Sequence, residues 1–201
     1  MSIRKKLLIV IGLVTALFIS FISGAAVQEY SSLPLTPPAL IVTAPTEQDP
    51  ALLTLANQVG ADVTNVTLKY TTFSNADERA YFSYSQTSET ISYMIELRPG
   101  LDPNRARQSF VHEYYHYIWK SHPETQAITG ALQGMYAADD VMHDRMKIYV
   151  DDGLSPNTAD FDNELFAIYC TEVYTPTLEP TVAAECMKWV DLGSITSDRN
   201  L

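Results

Sequence analysis

The clearest alternation in the chain lies over residues 90–98, TISYMIELR, where Ile91, Tyr93, Ile95 and Leu97 fall on one side and Ser92, Met94, Glu96 and Arg98 on the other. A period of two is that of a strand with one buried face. Upstream, VTNVTLKYTTF and AYFSYSQ are rich in β-branched and aromatic residues and predict two more strands. Elsewhere the apolar positions recur at helical spacing. Asp49-Pro50 supplies an N-cap and a proline at the first helical position, ALLTLANQV supplies the apolar turns, and Gly60 stands where that helix would stop. Asp102-Pro103 repeats the same start, and the pattern runs through RARQSFVHEYYHYIWK until His122-Pro123 interrupts it. Further helices are predicted around residues 126–136, 139–150, 160–174 and 181–190. Strands first and helices after imply an α+β fold: a short mixed or antiparallel sheet, then a long helix, then a mostly helical C-terminal half.

The N-terminus departs from both periods. MSIRKK carries three positive charges and is followed by LLIVIGLVTALFISFISGAAV, which carries none. Residues 1–27 therefore read as an export or anchoring segment. A run of about 20 apolar residues suits a spanning helix, so a membrane anchor is expected; cleavage near Gly24, Ala25 and Ala26 would instead give a secreted protein. With Arg4, Lys5 and Lys6 retained inside, everything after Val27 faces outward. Residues 28–45 contain Pro34, Pro37, Pro38 and Pro45 and no period, the pattern of an extended stalk. The folded domain is then expected over residues 46–201.

Charge narrows the partners. Beyond residue 26 the chain has 10 basic and 24 acidic residues, net −14, which argues against nucleic acid and anionic headgroups as ligands. Cys170 and Cys186 are the two cysteines. Outside the cell they are free to oxidise to a disulfide, and two buried thiols are the alternative.

The chemistry is concentrated in FVHEYYHYIW, residues 110–119. On a helix, His112 and His116 are four residues apart and share a face, so both rings can reach one ion, with Glu113 beside them. Zinc takes about four nitrogen, sulfur or oxygen donors, and a catalytic site keeps one position for water. The ion lowers the pKa of that water and the neighbouring carboxylate removes its proton. Random placement of four His and eleven Glu in 201 residues would give this spacing roughly 0.4% of the time, so the pattern points to a metal site.

FVHEYYHYI resembles the active-site helix of the zincin metallopeptidases, and TISYMIELR stands where that clan has the strand before the helix. The resemblance implies a small zincin-like domain, a zinc cofactor and a peptide or protein substrate. It also implies that the preceding strand lines the cleft and pairs with the substrate backbone, as an open strand edge can.

Two residues compete to be the third protein ligand. His122 completes a metzincin-like HEYYHYIWKSH, with Met135 as a methionine turn, but Trp119 occupies the place of the glycine that lets the metzincin chain turn. Glu164, in DFDNELFAIYC, is similar to the gluzincin pattern in which a second helix brings a glutamate to the two histidines; Asp160 can cap that helix and Ala167 lets it approach closely. The gluzincin assignment is preferred: His112, His116 and Glu164 as metal ligands and Glu113 as general base. Ile168 stands where thermolysin-like proteins have an aspartate, so another group must orient a ligand histidine; Glu172 either supplies that acceptor or faces water. Tyr149, Tyr174 and His143 are candidate electrophiles for an oxyanion. Asp139-Asp140 and Asp151-Asp152 read as solvated helix ends or as calcium ligands.

The expected function is zinc-dependent peptide-bond hydrolysis outside the membrane. The alternatives are a metal-stabilised binding or structural module on a membrane stalk, a metzincin-type peptidase using His122, and a zinc hydrolase of a non-protein substrate.

Overall fold

The alternating segment forms the centre of the sheet. β4 (Thr90–Leu97) buries its four predicted apolar positions, Ile91, Tyr93, Ile95 and Leu97. Along one edge it pairs antiparallel with β3 (Ala80–Gln86), Ala80 opposite Leu97 and Gln86 opposite Ile91. Along the other it pairs parallel with β2 (Val66–Tyr70), and at Thr90 and Ile91 with the two-residue β1 (Ile41–Val42). The four-stranded sheet is therefore mixed. In this computed structural model the described residues are 40–156, 158–172 and 178–191. The expected membrane segment, residues 1–27, lies outside them, as do Tyr174 and the side chain of Glu172. Among the described residues no helix is long and apolar enough to cross a membrane.

β1 lies inside the region that its prolines mark as stalk. Ile41 N–H donates to Glu89 O over 2.8 Å and Thr43 N–H to Ile91 O over 2.9 Å, so the folded unit begins at Leu40 rather than residue 46. None of the stalk prolines falls at residue 41 or 43, whose N–H groups this pairing needs.

The helices start and stop largely where the capping residues require. Asp49 Oδ1 accepts from the N–H groups of Ala51 and Leu52 at the start of α1 (Pro50–Gln58), and Gly60 leaves it with φ 70°. Asp102 caps α2 (Pro103–Ser121) in the same way through Arg105 N–H. Beyond His122 the chain makes a 3₁₀ helix (Pro123–Ile128) before α3 (Thr129–Ala137), where one longer helix was expected. Proline disfavours helical backbone at the preceding residue, and His122 takes ψ 81°. Then come α4 (Asp140–Asp151), α5 (Ala159–Glu172) and α6 (Pro180–Trp189). α5 starts earlier than expected: Thr158 Oγ1, not Asp160, accepts from Phe161 N–H, at 3.3 Å.

Two stripes on α2 explain how the site is held. Phe110, Val111, Tyr114, Tyr115 and Ile118 follow the helical repeat on one face, all of them buried. Each such side chain contributes about 1.5–3 kcal/mol on leaving water. His112, Glu113, His116 and Lys120 occupy the opposite stripe. Tyr117 meets Tyr93 of the sheet edge-on with ring centroids 5.0 Å apart, and Phe166 of α5 lies 5.3 Å from both Tyr115 and Trp119. Tyr115 Oη donates to Cys186 O of α6 over 2.9 Å. Cys170 and Cys186 form a disulfide between α5 and α6, which decides the alternative left open by the sequence. α2, α5 and α6 are thus cross-tied behind the motif.

Candidate metal centre

The polar stripe of α2 opens on a cleft of about 1050 Å³, bordered by Phe82 and Tyr84 of β3, Tyr149 of α4, and Asn163 and Glu164 of α5. On its floor His112 Nε2 and His116 Nε2 are 3.2 Å apart. Glu164 Oε1 is 3.3 Å from the first of these nitrogens and its Oε2 is 3.3 Å from the second. A tetrahedral ion with bonds of about 2.1 Å has ligand-to-ligand edges of about 3.4 Å. The two imidazole nitrogens are spaced close to such an edge and each faces a different oxygen of Glu164, so the three side chains stand close enough to share one ion.

The electrostatics point the same way. Glu164 Oε1 is buried and faces the His112 imidazole. His116 Nδ1 lies 3.0 Å from Asn163 Oδ1, an acceptor, so that nitrogen carries the proton and Nε2 turns its remaining valence to His112 and Glu164. Burial opposes a charge on His116, yet Glu164, Glu113 and Asn163 together raise it to about 9. Burial likewise pushes Glu164 up, and the two imidazoles outweigh it and hold the carboxyl well below its ordinary value. The pocket thus favours positive charge at its centre. Two imidazoles and one carboxylate suit a borderline metal such as zinc better than calcium or magnesium, which take oxygen.

The remaining sequence candidates separate clearly. Glu113 lines the same cleft beside His112. His122 does not join the pair: its Nδ1 is 2.8 Å from Ser121 Oγ and its ring lies 4.3 Å from that of Trp189. Met135 packs against the core from α3. Among the described residues, the group of three or more metal-ligating side chains close enough to share an ion is His112, His116 and Glu164. Of the candidate electrophiles, Tyr149 reaches the cleft, His143 instead packs its ring against Tyr136 at 4.4 Å, and Tyr174 lies outside the described residues. Burial raises the Tyr149 phenol, and the charges of Glu164 and Glu113 raise it further, so it remains a proton donor. Asp139 is a helix cap, its Oδ1 accepting from Met142 N–H, and Asp151 pairs with Lys147. Both are helix-end roles.

Two functional features escape the sequence reading. The first is Asn163, whose role as partner of His116 was sought further along the helix; its signal is an amide immediately before Glu164. The second concerns the strand at the cleft. β4 is covered on both edges, and β3 is the strand that lines the cleft, with no pairing partner on its outer edge among the described residues. Arg98 N–H donates to Arg79 O and Thr87 N–H to Thr90 O, both over 2.8 Å, so the odd-numbered residues of β3 bond inward to β4. The N–H and C=O groups of Ala80, Phe82 and Tyr84 consequently point to the open edge.

Compared with protein-family models, with curated proteins and with solved structures, the chain finds no match in any of the three.

Proposed function

We propose that the protein is a zinc-dependent peptidase of gluzincin type, anchored by residues 1–27 with its domain outside the membrane. The observation that carries this reading is the cluster of His112, His116 and Glu164, its two Nε2 atoms 3.2 Å apart and each 3.3 Å from a different oxygen of Glu164, next to Glu113 in a cleft bordered by an open strand edge. When bound there, zinc supplies Lewis acidity toward a carbonyl and makes water acidic enough to lose a proton near neutral pH. The chain's own residues do the rest. Ala80, Phe82 and Tyr84 offer backbone donors and acceptors to an extended peptide, fixing its scissile bond beside His112, His116 and Glu164. Glu113 takes the proton of the attacking water and delivers it to the leaving amine nitrogen. Tyr149, kept protonated, donates a hydrogen bond to the oxygen on which negative charge develops.

The test is hydrolysis of an unstructured protein by the zinc-loaded chain. Glu113→Gln is expected to lower the rate by a factor of about 10²–10⁴ while zinc content is unchanged. Zinc bound at one per chain with no hydrolysis by wild type would make the domain a metal-stabilised module instead.

A further inference from the structure

The cleft is not electrostatically uniform, and its one strong asymmetry lies at the C-terminal end of α2. Lys120 is the single Lys or Arg among the residues lining the larger cavity, against Glu113, Asp152, Asp160 and Glu164. It stands one turn past His116, and its Nζ lies 4.1 Å from the centre of the Tyr84 ring on β3. That cation–π contact bridges the two walls of the cleft and places the ammonium at the rim. Among the described residues no carboxylate is paired with Lys120.

The register of β3 converts this position into a substrate position. The Phe82 ring lies 6.5 Å from that of His116, and Ala80 lines the smaller cavity with His112 and Glu113, so the candidate ligands stand beside the Ala80–Phe82 stretch of the edge. Tyr84 is two residues further along β3, about 6.7 Å. A peptide added to this edge in the antiparallel sense runs opposite to β3. The Tyr84 end then receives residues on the N-terminal side of the bond to be cut.

We infer that Lys120 selects peptides carrying Asp or Glu two or three residues before the scissile bond. The inference rests on the peptidase reading above and adds to it the substrate class. Side chains alternate across an extended peptide, so one of those two positions faces α2 and meets the ammonium. A lysine is a compact, flexible point charge able to serve either position. The selectivity is that of a partly exposed ion pair, about 1.5- to 5-fold in kcat/KM.

The experiment is cleavage of a mixture of unstructured peptides of known sequence by the full-length, zinc-loaded protein in detergent, with every cut site read by mass spectrometry. Glu113→Gln serves as the blank. Wild type is expected to enrich acidic residues two or three positions before the cut. Lys120→Glu is expected to invert the ratio of acidic to basic residues there, and Lys120→Arg to retain it. Because the ratio is internal to each digest, a loss of overall rate leaves it readable. Cutting by wild type without acidic enrichment, enrichment after the bond instead of before it, or an unchanged ratio in Lys120→Glu would each overturn the inference and leave the peptidase reading standing. If wild type cuts no more than the Glu113→Gln blank, the peptidase reading fails and the inference with it.

Discussion

Asn163 and Glu164 hold opposite ends of one imidazole: His116 Nδ1 is 3.0 Å from Asn163 Oδ1 and His116 Nε2 is 3.3 Å from Glu164 Oε2. Consecutive residues of α5 thus fix both the tautomer and the tilt of a ring on α2. Replacing Asn163 with Ala should weaken zinc binding by about 10- to 100-fold. Asn163→Asp, which keeps the acceptor, should bind at least as tightly as wild type. Competition with a chromophoric chelator measures both.

The third donor is separable from its rival by composition alone. Glu164→Gln should leave the purified chain with little zinc, because a neutral amide oxygen is a poorer ligand than a carboxylate in this geometry. His122→Gln should retain one zinc per chain, since that ring packs on Trp189 away from the His112 and His116 donors. Elemental analysis of the two variants beside wild type gives the answer; zinc lost from His122→Gln alone would reinstate the metzincin arrangement.

Tyr149 offers a kinetic signature distinct from that of a ligand. Removing the hydroxyl in Tyr149→Phe should lower kcat by about 10²–10³, the loss typical of one oxyanion donor, while KM and zinc content change little. A variant that loses zinc as well would mark Tyr149 as part of the metal's support rather than as a donor to substrate.

In the absence of metal, His116 is raised to about 9 by its acidic neighbours and holds a proton at neutral pH. A group raised above its unfolded value of about 6.5 stabilises the fold fully below that pH, and its contribution disappears as pH climbs through about 9. The metal-stripped protein should therefore melt at a higher temperature at pH 6.5 than at pH 9.5. Zinc needs the unprotonated ring, so binding near pH 7.5 should expel about one proton, and fewer as pH approaches 9.5. Calorimetric titration in two buffers of different ionisation enthalpy counts that proton. An uptake of protons would contradict the sign argued here.

The Cys170–Cys186 bond closes a loop across a separation of 16 residues, joining the helix that carries Glu164 to α6. Chain-entropy reasoning gives such a loop about 3 kcal/mol. The double substitution to Ser should lower unfolding stability by roughly that amount in a denaturant titration, with wild type in reductant shifting by a similar amount.

Local pattern alone determined much of this protein. Alternation at Ile91, Tyr93, Ile95 and Leu97 identified the central strand, Asp-Pro pairs marked where α1 and α2 begin, and the four-residue spacing of His112 and His116 put two donors on one helix face. These are properties of neighbouring residues obeying periods of 2 and 3.6, which any window of sequence exposes. The tertiary structure decided what depends on how elements meet. It assigned Glu164 rather than His122 to the histidine pair, since α5 packs against α2 while the break at His122-Pro123 turns that ring toward Trp189. It brought Tyr149 to the cleft and left His143 against Tyr136, a choice no periodicity records. It also moved the open edge from β4 to β3, because β1 and β2 return to cover the far side of β4 in parallel, and parallel pairing joins residues far apart in the chain. Spacing along one helix is a local quantity; which helix or strand stands opposite is set by packing of the whole core.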